Sequence, residues 1–65
     1  MTIGHDLERR RLVHRADRME AVIVELQRRA RFHADRHGDV PRPLRQAIGD
    51  FRIELRELRR RIAAQ

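Results

Sequence analysis

One seam of spaced residues runs through almost the whole chain, at alternating steps of four and three. In the first half it is Leu12, Ala16, Met19, Ile23, Leu26, Ala30, His33 and His37; in the second it is Leu44, Ile48, Phe51, Leu55, Leu58 and Ile62. Steps of this kind wind onto one stripe of an α-helix and define the a and d positions of a heptad. Strand-like alternation is absent. The sequence therefore predicts two amphipathic helices and no sheet.

The break between the two series is equally legible. His37-Gly38 closes a first helix, with Gly38 free to take the left-handed conformation at the position after the cap. Asp39 is a candidate N-cap for the second helix. Pro41 and Pro43 fit a connection or a first turn, where a missing N–H costs nothing, and not a helix interior. We expect helix 1 from about residue 3 (Thr2 or Asp6 are its candidate starts) to 37, a turn over 38–43, and helix 2 over about 44–63. A short connection favours antiparallel neighbours. The expected fold is an all-α antiparallel two-helix hairpin, a single unit over 1–65, dimerising into a four-helix bundle.

A register follows if His37 is set opposite Leu44. His33 then meets Ile48, Ala30 meets Phe51, Leu26 meets Leu55, Ile23 meets Leu58 and Met19 meets Ile62. Phe51 against Ala30 is good volume complementarity. On the flanks, Glu20 falls near Arg59 and Arg29 near Glu54, pairs of opposite sign. In this register helix 1 outruns helix 2 by roughly fourteen residues, about 20 Å. Leu7, Leu12 and Val13 are then left without an intramolecular partner, and Val22 and Val24 lie beside the stripe. Exposed apolar residues in line with a packed stripe mark a site waiting for a surface. We expect Leu7, Leu12, Val13, Val22 and Val24 to form a partner interface, for a second copy or another helical protein.

The length reinforces that expectation. A chain of 65 residues buries little surface and usually needs a staple. It has no Cys, hence no disulfide and no zinc-finger ligand set. No apolar run approaches the ~20 residues that span a bilayer. The opening residues lack the apolar core of a secretory signal, so a cytoplasmic location is the default expectation.

The net charge is +6, and all sixteen basic residues are Arg. Lys is absent, which codon usage in a GC-rich genome explains as readily as function. Ser, Asn, Tyr and Trp are missing too, and Thr2 is the sole hydroxyl side chain. Nucleophilic catalysis needs an activated Ser, Cys, Thr or Lys, or a carboxylate held in a pocket. We expect no enzyme, no cofactor and no small-molecule substrate.

Arg9, Arg10 and Arg11 with Arg59, Arg60 and Arg61 form basic clusters that a hairpin brings to one end, near Arg15 and Arg18. They are candidate phosphate contacts for RNA or DNA. Against that, basic residues and acids divide evenly between the two ends of the hairpin. Asp6 precedes Arg9, Glu25 precedes Arg28 and Arg29, and Glu57 precedes Arg60 and Arg61, at intrahelical pairing distance. No aromatic residue interleaves the Arg runs, which serves single-strand stacking poorly. His33 and His37, four apart on one face, have the spacing of a shared metal pair. Further ligands would have to come from elsewhere, and we expect no metal.

The order of acids and apolar residues over Leu12–Arg29 loosely resembles the first helix of the all-helical chorismate mutases, which implies further helices that this chain lacks. In outline the hairpin is similar to a plasmid copy-number hairpin that dimerises and binds RNA, and to the two-helix protein of the large ribosomal subunit. Neither outline carries a function with it. The expected function is a small non-enzymatic protein–protein interaction module. The alternative is a nucleic-acid-binding hairpin dimer.

Overall fold

The computed structural model describes residues 3–64, with side-chain surroundings for 4–64. Thr2, one of the two candidate starts of helix 1, lies outside the described residues. Two helices pack along one another, α1 over Ile3–His37 and α2 over Arg42–Ala64. The hairpin measures 55 × 14 × 14 Å. That length is essentially α1 alone, 35 residues at a rise of about 1.5 Å each. No helix among the described residues is long and apolar enough to cross a membrane.

The turn is tighter than the sequence suggests. Gly38 sits at φ +76° and its N–H donates to the Ala34 carbonyl at 2.8 Å, which closes α1 with a left-handed cap. The first bond of α2 runs from the Arg45 N–H to the Pro41 carbonyl, 3.0 Å. Pro41 thus holds the cap position, and Pro43 lies inside the first turn of α2. The connection is 38–41 and not 38–43, and α2 starts at Arg42 and not Leu44. Pro43 is tolerated because the first helical N–H groups have no intrahelical acceptor to lose. Asp39 is not the N-cap. Its carboxylate accepts from the Val40 N–H at 2.8 Å and pairs with Arg45 at 3.5 Å. Arg45 also donates to the Val40 carbonyl at 3.2 Å, so it folds back and braces the turn.

The core departs from the expected register. It consists of Leu12, Ala16, Ile23, Leu55 and Leu58, with Met19, Phe51 and Ile62 packed against it. The register that sets His37 opposite Leu44 leaves Leu12 and Ala16 facing positions beyond Ala64, yet they are 8% and 6% exposed. Sliding α2 by one heptad repairs this. Ala30 then faces Leu44, Leu26 faces Ile48, Ile23 faces Phe51, Met19 faces Leu55, Ala16 faces Leu58 and Leu12 faces Ile62. The apolar seam residues of both helices are buried or half-buried in this order. His33 keeps partial cover beside the turn, and His37 is exposed.

The physical reason is a substitution of layers. Both registers bury equally many, but the observed one trades layers containing His33 and His37 for layers containing Leu12 and Ala16. Apolar side chains gain from leaving water, whereas imidazoles need hydrogen-bond partners to do so. The ion pairs agree. Arg29 is paired within its own helix to Glu25 at 3.8 Å, and not to Glu54 as the unshifted register required. Glu20 does meet Arg59. Side chains tilt towards the N-terminus of their own helix, so in an antiparallel pair these two lean towards one another and close the offset.

The shift also shortens the free end of α1. Only its first two turns or so reach past α2, about 10 Å rather than 20 Å. Leu12 is therefore a core residue, not part of an unpartnered segment.

Candidate functional site

A single seam between two helices leaves both its sides open, and these flanks are where a hairpin of this kind can meet anything else. The e and b positions lie on one flank and the g and c positions on the other. Charge is largely sorted between them. On the g/c flank α1 presents Arg11, Arg15, Arg18, Arg29 and Arg36, while α2 presents Asp50, Glu54 and Glu57. The e/b flank reverses this: α1 presents Asp6, Asp17 and Glu20, and α2 presents Arg42, Arg45, Arg52, Arg56 and Arg59. Glu8, Arg10, Glu25, Arg31 and Arg61 stand outside the pattern. Antiparallel packing sets g beside g and e beside e, so each flank juxtaposes opposite signs. Dividing the hairpin across its length hides this, because the asymmetry runs around the circumference.

The two flanks are not equally finished. On the e/b side a groove runs between Glu20, Val24 and Gln27 of α1 and Arg52, Arg56 and Arg59 of α2. Its floor is Ile23 and Leu55, already buried, and Glu20–Arg59 crosses it as the one ion pair between the helices among the described residues. On the g/c side the groove is floored by Met19, Val22 and Phe51 and rimmed by Arg11, His14, Arg15 and Arg18. Met19 and Phe51 are half-buried and Val22 is 44% exposed. None of Arg11, Arg15, Arg18, Asp50 and Glu54 belongs to an ion pair among the described residues. This flank is an apolar strip with an uncommitted basic rim.

The Arg triplets do not make one patch. Consecutive helical residues point about 100° apart, so each triplet fans around its helix. Arg9 and Arg10 border a depression that also holds Asp6, Val13, His14 and Asp17. Arg59 is engaged by Glu20, and Arg60 by Glu57 at 3.2 Å. Arg61 points to the g/c side, where Arg11, Arg15 and Arg18 gather. The Glu25 pairs with Arg28 and Arg29 form as the spacing predicts, both at 3.8 Å.

The expected interface residues are likewise dispersed. Leu12 is in the core. Leu7, Val13, Val22 and Val24 are exposed, but Val22 stands on the g/c flank, Val13 and Val24 on the e/b flank, and Leu7 on the outer face of the first turns. The His33 and His37 rings lie 6.0 Å apart at 35°. No group of three or more metal-ligating side chains gathers among the described residues. Phe32 lies outside the seam, capped by the Arg36 guanidinium 4.8 Å from its ring centre.

Sequence reasoning missed Met19 and Phe51 as groove floor, and Asp50, Glu54 and Glu57 as an acidic edge. The signal was present: a heptad letter assigned to each charged residue separates the flanks from the amino-acid order alone. No known family, curated protein or solved structure matches the chain, so its functional reading rests on geometry.

Proposed function

We propose that the hairpin is a non-enzymatic protein–protein interaction module, an assembly, adaptor or regulatory subunit, that docks a helical partner on its g/c flank. The observation that carries this reading is the Met19–Val22–Phe51 strip, apolar, open and edged by Arg residues that form no ion pair among the described residues. Apolar strips with polar rims have the anatomy of protein interfaces, in which Arg is enriched and Lys is not. The absence of Ser, Cys, Lys and Tyr leaves little chemistry for any other use of the groove.

A second reading is nucleic-acid binding, supported by the row Arg52, Arg56 and Arg59 on the e/b flank. These residues lie on one stripe, and among the described residues only Arg59 is met by an acid, Glu20. Salt separates the two readings. Association through an apolar strip holds over a rise in salt that costs a phosphate-binding protein orders of magnitude in affinity. Fluorescent RNA and DNA oligonucleotides titrated at physiological salt test the second reading. Tight binding that falls steeply with salt and is lost in Arg52→Gln/Arg56→Gln would replace the first reading. Weak binding, with Val22-dependent protein association intact, keeps it.

A further inference from the structure

Deepening that reading requires a partner for the g/c flank, and the chain itself carries a fitting surface. Ile53 projects from the side of α2 turned away from the seam and is 62% exposed, the most open of the large apolar residues described. Its surroundings divide by sign: Asp50, Glu54 and Glu57 form an acidic edge on its g/c side, and Arg52 and Arg56 lie on its e/b side. The acidic edge that α2 turns to the g/c flank, Asp50, Glu54 and Glu57, complements the guanidinium rim of the apolar groove beside α1. We infer that the g/c flank is covered by a second copy of the chain.

The placement fits a two-fold axis parallel to the hairpin. Such an axis sets α1 of one copy beside α2 of the other, antiparallel, with no displacement along the axis. In the heptad-shifted register Glu57 stands level with Asp17, so it arrives beside Arg18 of the other copy, while Ile53, opposite the seam, stays on the outer face of the bundle. A two-fold makes the contact twice, with one flank supplying both the basic rim and the acidic edge. The product is a four-helix bundle in which every neighbouring pair of helices is antiparallel. The e/b flank offers less, because its floor is already covered and Glu20–Arg59 already spans it. The seam also lacks a second layer: no described side chain of the isolated hairpin is fully buried, and Leu58, the best covered, keeps 4% of its surface.

The inference rests on the interaction-module reading, and the experiment separates the two. Sedimentation equilibrium of the full chain at micromolar concentration is expected to give a dimer. Val22→Asp places a charge in the groove floor without touching the seam, and is expected to weaken the dimer at least tenfold while helicity in the dilute protein is unchanged. Ile53→Asp, on the outer face of α2, is the control and is expected to leave the dimer unchanged. Arg15→Glu/Arg18→Glu and Glu54→Arg/Glu57→Arg are each expected to be monomeric alone. Their equimolar mixture restores both contacts and is expected to dimerise. If the charge-reversed chains fail to fold, Val22→Asp read against Ile53→Asp decides the matter. A wild-type monomer, or a dimer indifferent to Val22→Asp, overturns the second copy on this flank. A monomer that still takes a synthetic Leu/Glu amphipathic helix in a Val22-dependent way overturns the second copy and leaves the module reading standing. A monomer that binds neither overturns both.

Discussion

Truncating Leu12 tests the register directly. In the heptad-shifted hairpin Leu12 faces Ile62 and is 8% exposed, nearly as buried as Leu55 at 7%. Replacing a buried Leu by Ala costs about 2–5 kcal/mol, the transfer term plus the cavity left behind. Leu12 closes the end of the core and not its middle, where surroundings collapse more easily, so about 2–3 kcal/mol is expected. For a domain of this size each kcal/mol moves the melting point by roughly 4–8 °C, giving a fall on the order of 10–20 °C. His37→Ala is the control. His37 is exposed, and the expected change is within about 0.5 kcal/mol, as for surface substitutions generally. Thermal unfolding followed by far-ultraviolet circular dichroism, at one fixed protein concentration, reads both, since self-association would otherwise shift the midpoint by mass action. The unshifted register makes the opposite forecast. There Leu12 is bare and His37 is a seam residue against Leu44. A Leu12→Ala chain that melts with the wild type, beside a His37→Ala chain that melts early, refutes the shift.

Three further outcomes are expected. Gly49→Ala should stabilise by about 0.5–1 kcal/mol in urea titration, because Gly49 lies inside α2, its φ is ordinary, and an added methyl group meets nothing within 4 Å. Gly38→Ala should destabilise by roughly 1 kcal/mol despite equally open space, because its φ of +76° is strained for any residue with a Cβ, and Gly38→Asn should lose less. Glu20→Gln should cost no more than about 1 kcal/mol, and the difference from wild type should vanish in molar salt, since both partners of Arg59–Glu20 are more than half exposed.

Helix count, helix order and the position of the turn are legible in the sequence because each rests on a local signal: the four-three spacing, Gly38 and the Pro41/Pro43 pair. The cap is not. Asp39, Val40 and Pro41 all precede a helix whose first N–H groups are free, so composition does not say which of them stands at the boundary. The register is illegible for a deeper reason. A heptad pattern matches itself after a slide of seven residues, and each seam layer stays intact. What breaks the degeneracy is the pair of ends, where the slide exchanges His33 and His37 for Leu12 and Ala16. Starting the pairing at the turn, as loop length invites, counts connection geometry and omits that exchange. The same ambiguity makes Leu12 read as an interface residue and doubles the apparent free length of α1.

Charge sorting around the circumference fixes orientation more firmly than the apolar seam can. Leu, Ile and Ala layers mesh whether two helices run parallel or antiparallel, but flank charges do not. A parallel pair would set the g/c flank of α1, rich in Arg, beside the e/b flank of α2, which is Arg with no acid. Antiparallel pairing places each Arg row beside acids instead. Individual exposed pairs contribute little, and Glu20–Arg59 is the one that closes across the helices here. Their sum over two flanks still separates the orientations, because the wrong one replaces attraction with repulsion along both rows. The same argument extends to association. Each flank holds a mainly basic row and a mainly acidic row side by side, so a two-fold copy finds opposite charge, although the whole chain carries +6. Sixteen Arg residues would otherwise repel a second copy. The g/c flank keeps most of its charges free for that approach, since Arg11, Arg15, Arg18, Asp50 and Glu54 form no ion pair among the described residues, whereas Glu20–Arg59 already spans the other flank.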